Sequence, residues 1–436
     1  MKAISYPKQM TVSEPIQVGT SLGPQRRVSG PLKIISSSDH TTQVAEGNIV
    51  YVPSSVSTTN NVTLFYDLAK SDVRAILCER IERTDHGVLL ANELGIPCIS
   101  GISNTLCDYN GERLTIMGNE IYLGDVFNSN SYQKSYNNLP FPDCDTEIKL
   151  NLGFPEVLEK HPKLSGVTEG VGFMRLEFLL LDLLDDTHPK EYTERHGREA
   201  LENQLANRIE SVVSTYSDPV WIRTDDFAVS HLRQMECGKR HENKEDNSML
   251  GWRGISRSTE DPGLYDIQIE SIKKLVDRGY ENIGLFPPMT RLQSEFLEWK
   301  SYAKDAGLTD ISFGLMVETP AVALTFEQFI EHIDFVVFGS NDLTQFTLAI
   351  DRNNEKLQSK FDEKEDAVLK LFERVISISN NNEIETCIGG QAASDEQLAR
   401  KLIEFGIDAL SVNPDFETVS EIRKSATEIE TSRLNN

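Results

Sequence analysis

An α/β architecture, a closed β/α barrel following a smaller β/α domain, is what two patterns in the chain predict. From residue 146 onward, short apolar strand segments alternate with amphipathic helical segments. Before residue 128, short strands bounded by turn residues dominate, with one clear helix among them. The 436-residue chain has room for both parts, since a barrel takes ~250 residues.

The first part, residues 1–127, contains GNIVYVP (47–53), VRAILC (73–78), IPCIS (96–100) and RLTIM (113–117). Each is a strand candidate by its β-branched and apolar content. Its helix is HGVLLANELG, from His86 to Gly95, with Val88, Leu89, Leu90 and Leu94 on an apolar side. The closing glycine suits a C-cap. Residues 128–145, NSNSYQKSYNNLPFPDCD, lack periodicity and read as a linker. If flexible, about 18 such residues span ~20–25 Å.

The barrel is expected over 146–436. Its strand candidates are GVGFMRLEF (170–178), VWIRTDDF (220–227), NIGLFPP (282–288), FGLMVETP (313–320), FVVFGSND (335–342), ETCIGG (385–390) and ALSVNP (409–414). Helical segments such as SEFLEWKSYAKDAG (294–307) and DEQLARKLIEFG (395–406) separate them. Such alternation implies parallel strands joined by right-handed crossovers, hence a closed (β/α)8 barrel.

Composition narrows the function. Hydrophobic residues make up 39% and charged residues 25%, ordinary for a globular enzyme. A net charge of −25 argues against nucleic acid, because no excess of cations exists to neutralise phosphates. Six cysteines without a C-x-x-C pair suit reduced thiols better than a disulfide frame or a zinc site. The first residues have no apolar signal core, and no run nears the ~18 apolar residues of a membrane span. A cytoplasmic protein is expected.

In β/α barrels the site lies at the C-terminal ends of the strands. Those ends carry Arg175 with Glu177, then Arg223, Arg253 in NSMLGWRG, Glu318, Asn341 with Asp342, and Arg352. Guanidinium forks bind carboxylate and phosphate oxygens bidentately, which suits a small polyanion. Two carboxylates in the same pocket would repel it unless a cation bridges them, and Mg²⁺ is the expected bridge. The residues themselves therefore point to a phosphorylated carboxylic acid. Each has a plainer reading too: a lone strand-end arginine forms surface ion pairs, Glu318 could be a satisfied rim carboxylate, and Asp342 could cap the helix beginning LTQF.

The stretches GVGFMRLEFLL, TDDF, NSMLGWRG, FGLMVETPA, FGSNDLTQFTLAIDRN, FDEKEDAV, CIGGQAASD and GIDALSVNPD resemble the C-terminal part of phosphoenolpyruvate synthase. More distantly they are similar to pyruvate phosphate dikinase and to enzyme I of the bacterial sugar phosphotransferase system. ERTDHGVLLANELGIPCISG resembles the phosphohistidine segment of the same family. The resemblance runs over about residues 30–425 and implies a swivelling β/β/α domain whose histidine exchanges a phosphoryl group with the barrel. It implies that His86 is the phosphorylated histidine. Arg175, Arg223, Arg253 and Arg352 would surround phosphate and carboxylate, with Asn341 and Gln391 at neighbouring pocket positions. Glu318 and Asp342 would hold Mg²⁺. A homodimer is also expected.

Chemistry supports such roles. Phosphoryl transfer needs positioning and charge neutralisation, which arginines with Mg²⁺ supply. A neutral imidazole is free to attack phosphorus near pH 7.

Three departures alter the expectation. Where the family's G-I-C-G-Q carries a cysteine that handles the methyl proton of the enolpyruvate intermediate, this chain has Gly389. Cys387 lies two residues earlier, ~6.6 Å along a strand, and is expected to be a buried small hydrophobe rather than a relocated acid. Ile81 and Glu82 replace the paired glycines before the histidine, and Asp85 adjoins His86. Residues 1–29 hold no phosphate-binding glycine loop, so ATP is expected to enter through a separate ATP-binding or phosphocarrier protein, unless phosphoenolpyruvate is the donor. Three readings stay open: a phosphotransferase of the phosphoenolpyruvate synthase type, one with a different acceptor, and a relative that binds phosphoenolpyruvate without turnover.

Overall fold

The computed structural model describes residues 14–22, 27–35, 44–56, 64–65, 67–68, 71, 73–81, 87–88, 91, 96–126, 139–351, 354, 356–357 and 360–434. The chain divides into two compact units, Met1–Ser135 and Tyr136–Asn436.

The first unit is built on an eight-stranded sheet of β1 (Gln17–Val18), β2 (Thr20–Ser21), β3 (Arg27–Ile34), β4 (Ile49–Val52), β5 (Ala75–Cys78), β6 (Cys98–Ser100), β7 (Arg113–Met117) and β8 (Glu120–Leu123). The order is β1-β8-β7-β3-β4-β5-β6-β2. Strands β3 to β6 pair in parallel, and β7–β8 is an antiparallel hairpin. Gly118 and Asn119 form its two-residue turn, and Gly118 takes φ +63°, which hairpin turns of this length demand. Leu32, Ile49, Tyr51, Leu77, Ile99, Leu114 and Ile116 form the core. The four strands expected from sequence are β4, β5, β6 and β7. Of the helix expected over His86–Gly95, Gly87, Val88 and Ala91 are described and helical. His86 lies outside the described residues, as do Glu82 and Asp85.

The second unit is a closed barrel of eight parallel strands: β9 (Glu147–Leu152), β10 (Val171–Arg175), β11 (Val220–Arg223), β12 (Ile283–Phe286), β13 (Ser312–Val317), β14 (Phe335–Gly339), β15 (Glu385–Gly389) and β16 (Ala409–Val412). Pairing of β16 with β9 closes it. The fold class read from the alternation of strands and helices is the one observed. Strand β9, EIKLNL, was not among the seven sequence candidates. Lys149 and Asn151 occupy its barrel-facing side and are both buried, so its apolar run is broken by polar residues that ordinarily signal solvent.

The helices outside the barrel carry recognisable end signals. Asp395 caps Glu396–Phe405 by accepting from the Leu398 N–H at 3.0 Å, and Gly406 ends that helix in the left-handed region at φ +92°. Residues 140–146, the described end of the expected linker and the start of the barrel unit, run along the last helix, Phe416–Leu434. Ser420 donates to the Pro140 carbonyl at 2.7 Å. The Asp145 and Thr146 N–H groups donate to the Glu430 carboxylate at 2.8 and 2.9 Å. Among the described residues no helix is long and apolar enough to cross a membrane.

The barrel interior is filled by Phe173, Trp221, Phe286, Met316, Phe335, Val337, Cys387 and Ala409. Large rings fit because neighbouring strands offer glycines. A Cβ on Gly284 would come within 2.6 Å of Trp221 and 2.7 Å of Phe335. Trp221 and Phe335 stack at 4.2 Å. At the opposite end from the candidate site, the buried Lys149 ammonium reaches Glu147 at 2.5 Å and Glu385 at 3.2 Å, with the Trp221 ring centroid 4.9 Å away. Burial would lower this ammonium, yet Glu385 and Glu147 outweigh burial and raise its pKa. Lys149→Ala removes both the charge and the stem, and is expected to destabilise the protein by ~3–5 kcal/mol. Lys149→Met keeps the stem on Trp221 and should cost less, a difference readable by urea denaturation.

Candidate active site

Five side chains singled out from sequence converge at the C-terminal rim of the barrel. Arg175 and Arg223 are the last residues of β10 and β11. Glu318 follows β13, and Asp342 lies in the first turn of the helix Ser340–Leu348 that follows β14. Arg253 stands on the loop before the short helix Ile255–Glu260. Strands β10, β11, β13 and β14 each end at or run into a polar or glycine residue, and their last side chains share one rim.

The charges interleave. Arg223 pairs with Glu177 and approaches Asp226 at 3.6 Å. Arg253 holds Asp226 through two nitrogens, Nε donating to Oδ1 at 2.8 Å. The same guanidinium lies 4.0 Å from Asp342. Burial would lower Arg223, but Glu177, Asp226 and Glu318 around it reverse that and raise it. Burial likewise opposes the charge on Arg253, and Asp226 with Asp342 and Glu318 lifts it well above its ordinary value. Arg175 behaves otherwise: burial, with Arg223 adding to it, lowers its guanidinium to about 10 despite Glu177.

The carboxylates show the complementary tension. Glu318 is fully buried, and its Oε1 accepts from the Met289 backbone N–H. Its carboxyl is pushed up to about 8, by burial first and by Asp342 and Asp226 next. Glu318 Oε2 and Asp342 Oδ1 are buried without a hydrogen-bond partner. Such orphaned anionic oxygens are costly unless a cation serves them. Asp342 sits inside the first helical turn while Gly339 occupies the cap position, so helix capping does not account for it.

These two carboxylates fit Mg²⁺, which takes one or two protein carboxylates and completes its shell with water and substrate oxygens. Among the described residues no group of three or more His, Cys, Asp or Glu side chains forms a complete metal site by itself. The donor set thus suits an ion shared with a bound anion.

Other expected residues are less completely placed. Asn341 is partly buried, next to Asp342. Gln391 begins the 3-10 turn Gln391–Ser394, though its side chain is not among the described parts. Arg352 lies outside the described residues. Cys387 is wholly buried in the barrel interior, where burial drives its thiol far above the usual range. It is the buried small hydrophobe expected from sequence. Gly390, at φ +92°, exchanges two hydrogen bonds with the Asn151 side chain, at 2.9 and 3.0 Å, which fixes the chain leaving β15.

Asp226 received no role from sequence reasoning. In TDDF the two acids are adjacent, and strand alternation cannot assign them because β11 ends at Arg223. Asp225 turns instead to the helix Gly263–Asp277, where its backbone N–H and carboxylate both bond Gln268. Burial raises the Asp225 carboxyl to about 6 against the pull of Gln268 and Arg257.

Both units match family models of known proteins. Residues 132–431 match the model described as PEP-utilising enzyme, PEP-binding domain, and residues 46–120 match PEP-utilising enzyme, mobile domain. The chain belongs to the PEP-utilising enzyme family. It is 36% identical over 404 residues to phosphoenolpyruvate synthase of Pyrococcus furiosus, covering 89% of this chain and 48% of that protein. It is 36% identical over 403 residues to a probable phosphoenolpyruvate synthase of Archaeoglobus fulgidus, covering 91% and 52%. With phosphoenolpyruvate synthase of Pseudomonas aeruginosa it shares 30% over 428 residues, covering 91% and 53%. The chain therefore spans about half the length of these curated relatives, and this half holds both PEP-utilising domains.

The raised Glu318 carboxyl has a sign that can be checked. Its folded value near 8 lies above the ordinary 4.5, so the native state keeps a proton that the unfolded chain has lost between those values. Metal-free stability should fall as pH rises through that window, and Glu318→Gln should flatten the fall. Adding Mg²⁺ at pH 7 should release up to one proton per ion bound, and the release should fade above pH 9. Calorimetry in buffers of different ionisation enthalpy measures it.

Proposed function

We propose that this protein moves a phosphoryl group between His86 and a compact enolpyruvate-like acid held with Mg²⁺ at the barrel rim. The observation that carries the reading is the interleaved set of Arg175, Arg223 and Arg253 with Glu318 and Asp342, whose orphaned oxygens call for a cation. The mobile-domain match over residues 46–120, which includes His86, supports the first partner of the transfer. The names of the relatives support the substrate class.

In this mechanism the arginines bind the phosphate and carboxylate oxygens as forks and neutralise charge that spreads over the phosphoryl group in transit. Arg223 and Arg253 are already oriented by Glu177 and Asp226, so little reorganisation accompanies binding. Mg²⁺, when bound by Glu318 and Asp342, would add charge neutralisation and join the anion to the carboxylates. His86 attacks phosphorus with its neutral ring nitrogen, the bond from phosphorus to the enol oxygen breaks, and the electron pair stays with the departing enolate. The reverse step returns the phosphoryl group to that oxygen. Oxidation states do not change. The donor is phosphoenolpyruvate, or a separate ATP-binding or phosphocarrier protein.

A second reading keeps the transfer and changes the acceptor. It is favoured by Gly389, which offers no acid or base for a methyl proton, and by the burial of Cys387.

Radiolabelled phosphoenolpyruvate with Mg²⁺ tests the main reading. Label should appear on the wild-type protein and be absent from His86→Asn. Arg223→Ala should slow labelling on the order of 10²–10³-fold, the usual cost of losing a preorganised donor to developing charge. Label that persists in His86→Asn contradicts the proposal.

A further inference from the structure

The position of the missing thiol is not empty. A Cβ built on Gly389 would lie 2.7 Å from both Cγ and Cδ1 of Phe173 and 2.9 Å from its Cβ. These atoms form the root of the side chain, so they cannot swing aside as a flexible tip could. The Phe173 ring also lies against the site's cations. Its centroid is 5.1 Å from the Arg223 guanidinium carbon and 5.5 Å from that of Arg175. Phe286 packs on it at 6.0 Å, which fixes its position. The ring thus meets both the strand end at 389 and the two arginines that close β10 and β11.

We propose that Phe173 is the specificity-determining residue of the barrel site: its ring fills the space that a proton-carrying side chain at 389 would need and walls the pocket with an aprotic aromatic face. The site is thereby limited to phosphoryl exchange on oxygen. A ligand carbon beside the phosphate-bearing oxygen meets a ring face, and any enolate formed there takes its proton from solvent after release. The preferred ligand is a small phosphorylated carboxylic acid whose turnover involves no proton transfer at carbon within the site. The ring adds a positioning effect, since a cation over an aromatic face is held electrostatically. This inference rests on the phosphoryl-transfer reading, but its steric part stands on packing alone.

The experiment uses the full chain and the variants Gly389→Cys, Phe173→Leu and Phe173→Leu/Gly389→Cys, with Phe173→Met as a second partner should leucine fold poorly. Thermal unfolding comes first. Gly389→Cys should lower Tm by ~2–6 °C through overpacking, and the double variant should recover most of that loss. Next, pyruvate with Mg²⁺ in D₂O is followed by proton NMR. Methyl exchange requires a base to take a proton, the electron pair to rest on the enolate oxygen, and a deuteron to return from solvent. Wild type should give the solvent rate, and the double variant, with its new thiolate, should exceed it on the order of 10²-fold.

Wild-type exchange well above the solvent rate overturns the inference. So does a Gly389→Cys variant with unchanged Tm, or a double variant that neither regains stability nor exchanges. Absence of labelling from phosphoenolpyruvate in the wild type would sink the transfer reading instead, while the Tm coupling would still decide the steric claim.

Discussion

Buried charge at the barrel rim is the constraint on which the rest of this structure turns. Burial first, and then the neighbouring Asp342 and Asp226, push the Glu318 carboxyl up to about 8. Arg223 and Arg253 are interleaved with them and held in the opposite sense. Burying one of these groups without its neighbours would be costly, and pairing alone does not satisfy them all, since two carboxylate oxygens keep no partner. An arrangement stable enough to fold but incompletely neutralised is poised to take up a cation and an anion together. That is the physical content of the proposed phosphoryl-transfer site.

The barrel beneath supplies the rigidity this requires. Trp221, Phe335, Phe286 and Phe173 interlock through the interior, and glycines on adjacent strands make their close approach possible. Arg175 and Arg223 leave the ends of strands whose preceding residues, Phe173 and Trp221, belong to that packed layer. Their guanidiniums are thereby anchored to the packed layer of the barrel rather than to a connecting loop. The same packing explains why Gly389 is glycine. A side chain there would displace the ring against which both guanidiniums rest.

Much of this was legible in the sequence, for identifiable reasons. Strands β10 to β16 are short apolar runs, most of them ending at or next to a polar or glycine residue, and the pattern locates both the strands and the rim. Strand β9 was hidden because its inner-face positions carry Glu147, Lys149 and Asn151, polar residues satisfied by a Lys149–Glu147 ion pair and by Asn151 bonding the Gly390 backbone. Glu318 and Asp342 could be named from their places at strand ends, yet no pattern predicts that each retains an orphaned oxygen. Asp226 was missed because strand periodicity stops at Arg223. The role of Phe173 depends on a cross-barrel contact between β10 and β15, residues more than two hundred positions apart, which no local pattern encodes.

The most direct test of the central claim is a pulsed magnetic-resonance measurement on the protein loaded with Mn²⁺ in place of Mg²⁺. With phosphoenolpyruvate added, the phosphorus nucleus should couple to the metal at the strength of a directly shared oxygen, and Glu318→Gln should abolish that coupling. Metal bound without any phosphorus coupling, or coupling that survives Glu318→Gln, would contradict the account.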